Sequence, residues 1–140
     1  MDKIAREKQL EVILKVLLDI QKMTPSELVS TADQVSQMLI EDKLKTGQIR
    51  NFYSAVTRMR TDFANKDEGY MKVLQKDITM LKPKLAYAAG RQTAVRATFY
   101  PTMRNAIDGI IKSNYDETAL DNFFMLAESI VAYHKFYGGE

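Results

Sequence analysis

The stretch Met71-Lys-Val-Leu-Gln-Lys-Asp-Ile-Thr-Met-Leu-Lys-Pro-Lys-Leu-Ala-Tyr-Ala88 decides the fold class. Its apolar residues Met71, Leu74, Ile78, Leu81, Leu85 and Ala88 recur at alternating spacings of three and four. That is the period at which an α-helix stacks side chains on one face. The stripe keeps its register across Pro83. Proline lacks an N–H and crowds the preceding turn, so a kink, or the end of one helix and the start of another, is expected there.

The same period extends outward in both directions. Asn65-Lys-Asp-Glu-Gly69 is a polar break that reads as a turn. Before it, Thr46 is expected to cap a helix whose apolar arc is Ile49, Phe52, Tyr53, Val56, Met59 and Phe63. Thr24-Pro25-Ser26-Glu27 combines a hydroxyl N-cap, proline at the first helical position and Glu at the third. The helix it opens runs to about Lys43 on Leu28, Ala32, Val35, Met38 and Leu39, and its neutral or acidic outer face reads as scaffold. Lys3 to Lys22 predicts a first helix on Leu10, Ile13, Leu14, Leu17 and Leu18. Val12 and Val16 widen that stripe, which suggests contact on more than one side.

Towards the C-terminus, Phe99-Tyr100-Pro101 marks another kink or restart, followed by Met103, Ile107, Ile110 and Ile111. Asp116 is expected to cap a last helix carrying Leu120, Phe123, Phe124, Ala127, Ile130, Val131 and His134, with Gly138 closing it. No segment alternates with the period of a strand. The expected architecture is a single all-α domain over residues 1–140, a compact bundle of five to six helices.

Composition narrows the function. The 140 residues are 46% apolar with three Pro and six Gly, enough to fold around a core. The absence of cysteine excludes disulfides, thiolate nucleophiles and thiolate metal sites, and fits a reducing, cytoplasmic setting. The longest apolar run, around Val12 to Ile20, is broken by Lys15 and Asp19 and is too short to cross a bilayer, so no membrane partner is expected. The single histidine, His134, lies on an apolar stripe without a second histidine or thiol, and reads as a packing or helix-terminal residue. No phosphate loop, nucleophile elbow or spaced carboxylate pair is visible. The reading is a protein that is not an enzyme, with no metal, cofactor or small-molecule substrate.

Charge is the main functional signal. Lys43 to Thr61 holds five basic residues and no acid, and Ile78 to Ile107 does the same with Lys82, Lys84, Arg91, Arg96 and Arg104. The rest of the chain carries ten bases against all 18 acids. The net charge of +2 thus conceals a basic middle between acidic ends. Such windows are compatible with ordinary solvated faces or with binding a polyanion, of which nucleic acid is the commonest. On the third helix Arg50, Ser54, Thr57, Arg58 and Thr61 gather opposite the apolar arc, with Lys45 at the helix start: donors without a carboxylate. Arg60 falls near the apolar arc and reads as snorkelling to water or pairing with an acid rather than meeting a ligand. Lys84, Tyr87 and Arg91 stand one beneath the next, two cations around a ring that can stack a base or sugar, or simply be a partly buried aromatic. The small residues Ala86, Ala88, Ala89 and Gly90 suggest that another element packs closely there.

Three stretches resemble the small subunit of the type III-A CRISPR effector, the Csm complex. Leu44-Lys-Thr-Gly-Gln-Ile-Arg-Asn is similar to the family's Leu-Thr-Thr-Ser-Gln-Ile-Arg. Tyr87-Ala-Ala-Gly-Arg-Gln-Thr-Ala-Val resembles its Tyr-x-Ala-Gly-Arg-x-x-Ala-Val, and Val131-Ala-Tyr-His-Lys-Phe-Tyr-Gly-Gly its closing Val-Ala-Tyr-Phe-Lys-Phe-Tyr-Gly-Gly. The resemblance covers about residues 43–140, leaving 1–42 as a variable N-terminal part. It implies a non-catalytic helical subunit of an antiviral ribonucleoprotein, present in several copies. The implied partners are guide RNA, target RNA, the other subunits and further copies of itself. Gly47 replaces a usual hydroxyl residue, which leaves capping to Thr46, and His134 stands where an aromatic is usual.

The residues expected to meet RNA phosphates are Lys45, Arg50, Arg58, Lys84, Arg91 and Arg96, with Tyr87 stacking or bracing. The alternative is a helical interaction module whose basic faces dock acidic protein surfaces without binding RNA.

Overall fold

A computed structural model describes residues 2–140. It holds seven α-helices: α1 Lys3–Leu17, α2 Pro25–Glu41, α3 Thr46–Asn65, α4 Tyr70–Arg91, α5 Thr93–Arg96, α6 Phe99–Lys112 and α7 Glu117–Phe136. A single 3-10 turn, Ile20–Lys22, follows α1, and no strand occurs among the described residues. The chain is all-α as its periodicity requires, with more helices than the five to six expected.

The extra element comes from where the breaks fall. Pro83 does not end a helix: α4 runs through it, with the ring on the exposed side, where the backbone partner it deprives of a hydrogen bond can face water. The chain breaks instead at Gln92, whose φ of −132° and ψ of 114° are extended, and again at Thr98, which isolates the four-residue α5.

The first helix is also shorter than its sequence period suggests. It stops at Leu17, and side chains from elsewhere hold a carbonyl of its last turn and two carbonyls just beyond it. Asn105 on α6 donates to Leu14 O at 2.9 Å, and the buried Asn122 on α7 donates to Ile20 O and Met23 O at 2.8 and 3.0 Å. Gly109 of α6 lets the two backbones meet. A Cβ there would press into the Leu17 carbonyl oxygen and come within 3.2 Å of Leu18 O. The end of α1 and the turn after it are thus held by tertiary contacts that local sequence does not carry.

At the centre lies α7, which packs on α2, α3, α6 and the 3-10 turn and buries Leu120, Phe123, Phe124, Ala127 and Ile130. The N-terminal part contributes to the same core through Ile13, Leu17 and Ile20. Arg6 fastens it further, donating to Asp42 Oδ1 (2.6 Å), Met38 O (3.2 Å) and Thr98 Oγ1 (3.0 Å). Val12 and Val16, expected to meet a second neighbour, are exposed. The caps at Thr24 and Asp116 form as their sequences predict.

The C-terminal residues fold back over the start of α3. Gly138 takes φ +94°, a left-handed conformation natural to glycine, and turns the chain so that the Glu140 main-chain oxygen accepts from Thr46 N. His134 is buried and donates through Nε2 to Leu44 O at 2.7 Å, a packing role. The Tyr137 hydroxyl donates to Asp33 on α2, and that hydrogen bond to a carboxylate holds the phenol above the ordinary tyrosine range. A raised pKa in the folded state means that this contact contributes fully below about pH 10 and is lost as pH rises through the folded value. Tyr137→Phe should therefore flatten the alkaline fall of the unfolding temperature above about pH 10. Parallel curves for the two proteins would show that Tyr137 carries none of that dependence.

Candidate nucleic-acid interface

The turn at Lys66–Gly69, with φ +50° at Lys66 and +77° at Gly69, sends α4 back antiparallel beside α3. Leu74, Ile78, Leu81, Leu85 and Ala89 of α4 are buried, as are Ile49, Ala55, Val56, Met59 and Phe63 of α3. Where the first half of α3 faces the second half of α4, the helices leave an open groove of about 440 Å³. Phe52 and Leu85 lie in its floor, closed from behind by Val95 and Phe99. The Phe52 and Phe99 rings meet edge to face, with centroids 5.3 Å apart.

The groove brings together four of the seven residues expected to meet RNA: Arg58 from α3 with Lys84, Tyr87 and Arg91 from α4. No Asp or Glu lines it. Of the ten bases in the two acid-free windows, only Arg60 and Lys82 form ion pairs among the described residues. Their partners are Glu128 and Asp108, each at 2.7 Å. The groove cations are therefore exposed and uncompensated by acids of their own chain, the condition for a positive potential that reaches a polyanion. Tyr87 is 66% exposed, and the Arg91 guanidinium lies 5.6 Å from its ring centroid. The ring is not a buried aromatic.

The other three expected residues lie elsewhere. Arg50, roughly 80° around α3 from Arg58 at the helical period, faces the α3–α7 junction beside Lys135. Lys45, rather than Thr46, occupies the cap position of α3 and borders the C-terminal residues. Its N–H is accepted by Gln48 Oε1 at 2.7 Å. Thr46 is the first helical residue, its N–H already bonded to Glu140 and its hydroxyl buried without a partner. This corrects the expectation of a Thr46 cap and of a fully free helix start. Arg96 turns back on α4, donating to Ala89 O (3.0 Å) and Gly90 O (3.3 Å), so it caps the helix whose end it follows.

Two smaller expectations also change. The hydroxyls of Thr57 and Thr61 donate to Tyr53 O and Thr57 O of their own helix, which removes them as ready donors to an anion. The close neighbour expected along the small-residue stretch is met at Ala89, which is buried, but not at Gly90, where a Cβ would meet no atom within 4 Å. Sequence reasoning missed the amides of Gln48, Asn51 and Gln92, which line the groove. A signal for Asn51 existed, since it precedes Arg58 by two helical turns on the same face.

Arg60 serves as an internal control. Its pair with Glu128 is half exposed, so Arg60→Ala should change stability by no more than about 0.5 kcal/mol and RNA affinity by less than about twofold. A large affinity loss in a filter-binding titration would place RNA on the α3–α7 side instead of the groove.

A family model described as Csm2 Type III-A matches residues 22–140, which takes in α2 as well as the helices that carry the three resembling stretches. A protein of Enterococcus italicus, "CRISPR system Cms protein Csm2", is 29% identical over 103 residues, covering 72% of this chain and 73% of that protein. A Streptococcus thermophilus protein of the same name is 28% identical over 123 residues, covering 84% and 97%. No solved structure matches the chain.

Proposed function

The chain belongs to the Csm2 type III-A family, and from that premise we propose that it is a non-catalytic small subunit that holds the RNA backbone of the guide and target strands within the effector. The observation that carries this reading is the α3–α4 groove, where Arg58, Lys84 and Arg91 stand exposed without a single carboxylate. Contacts of this kind position RNA without reading its sequence, as suits a complex in which base pairing supplies specificity. In this reading several copies line the RNA, in the cytoplasm, as part of antiviral defence.

The basic side formed by Arg50 and Lys135 is separate from the groove. It is the surface left for acidic faces of neighbouring subunits or of further copies. The alternative, a module that docks acidic protein surfaces alone, would use both sides in that way.

The test is the salt dependence of binding between the purified chain and single-stranded RNA. With three cations engaged, log K should fall against log salt with a slope of about −2. A slope near zero overturns the RNA reading and leaves the docking module.

A further inference from the structure

We propose that the α3–α4 groove takes up one nucleotide with its base unstacked, the base resting on the apolar floor while its phosphates lie along the basic rim. This rests on the RNA reading above and adds the ligand class that the groove itself is shaped for. A backbone contact needs only the rim. It leaves about 440 Å³ of concavity unexplained, a volume within the roughly 300–1,000 Å³ of small-molecule clefts.

The floor says what does not enter. A phosphate placed on Phe52, Leu85 and Phe99 would lose its hydration to groups that return no hydrogen bond. A flat group with an apolar face and a polar edge loses nothing there, and in RNA that group is a base. At the mouth, Asn51 and Gln92 are exposed and their side-chain amides make no hydrogen bond in the chain, so each amide offers both a donor and an acceptor. Paired this way they can satisfy the edge of any base by turning over, which gives retention without sequence preference. Tyr87 stands on the rim with one ring available for stacking, and Arg91 steadies it. A base held in a duplex cannot reach the floor, because it is stacked and paired. The groove therefore distinguishes unstacked RNA from regular duplex.

The ligand chemistry is shared by an RNA nucleotide and a free mononucleotide, and the experiment separates them. Affinities of the full chain are measured for a single-stranded RNA, for a blunt RNA duplex with the same number of phosphates, and for AMP. The native protein should favour the single strand by about tenfold. Ala88→Leu, which fills the groove without altering its charge, should remove that preference while leaving the salt slope in place. Asn51→Ala, at an exposed position, should weaken it without risk to folding.

Equal binding of single strand and duplex with a slope near −2, or a preference that survives Ala88→Leu, overturns base capture and leaves the backbone contact standing. No salt-dependent binding to either RNA overturns both. AMP competing at concentrations comparable to the RNA overturns the RNA assignment in favour of a free nucleotide.

Discussion

Gly109→Ala should destabilise the protein by about 2 kcal/mol and lower its unfolding temperature by roughly 6–8 °C. The added methyl meets the Leu17 carbonyl, the Leu18 carbonyl at 3.2 Å and Ile20 Cγ2 at 3.1 Å. A backbone carbonyl cannot rotate aside as a side chain can, so α1 and α6 must move apart, at a cost of about 3 kcal/mol. Alanine's better helix propensity returns about 1 kcal/mol of it. The informative partner is Gly90→Ala, the same change at a helical position with open space around it. There only the propensity gain operates, and stability should rise by about 0.5–1 kcal/mol. Opposite signs in thermal unfolding would establish Gly109 as the point of close approach. An unfolding temperature for Gly109→Ala at or above that of the native protein would mean that α1 does not meet α6 as described.

The second large effect concerns binding. Arg58→Glu combined with Lys84→Glu should weaken single-stranded RNA binding on the order of a hundredfold at low salt. The salt slope should shrink from about −2 to about −0.7, since two of three phosphate contacts are lost. Both side chains are exposed and outside any ion pair, so folding should change by no more than about 0.5 kcal/mol. Assembly of the variant with its partner subunits separates the two functional readings. Loss of RNA with assembly intact supports the groove as an RNA surface. Loss of assembly with RNA retained assigns the same residues to protein docking. Arg50→Glu, on the other side of α3, should leave RNA affinity nearly unchanged.

The site was partly legible before the structure. Lys84, Tyr87 and Arg91 share a helix face by spacing alone, and they do share the groove. Arg58 was legible as a cation on an acid-free face, but not as their neighbour across a groove. Arg50 lay in the same sequence window, yet the 80° or so between it and Arg58 at the helical period places it against α7. Arg96 looked like a free cation and instead closes the end of α4. Small residues misled in the same way. Gly90 suggested a close neighbour and has open space beside it, while Gly109, which does have one, carries no mark in its flanking sequence.

The sequence by itself determined the helical class, the inward faces of α3, α4, α6 and α7, the caps at Thr24 and Asp116, and a basic middle suited to a polyanion. Each of these depends on residues within a turn or two of one another, and the 3.6-residue period and local hydrogen bonds settle them. Only the tertiary structure decided where α1 stops, that α4 continues through Pro83, and which cations meet. Those outcomes depend on which helix lies beside which. Asn105, Asn122 and Gly109 act on the end of α1 and the turn after it from about 90 or more residues away, and the groove exists only where α3 and α4 come together with Val95 and Phe99. Periodicity orients a side chain about its own helix axis, and packing between helices selects the neighbour it faces.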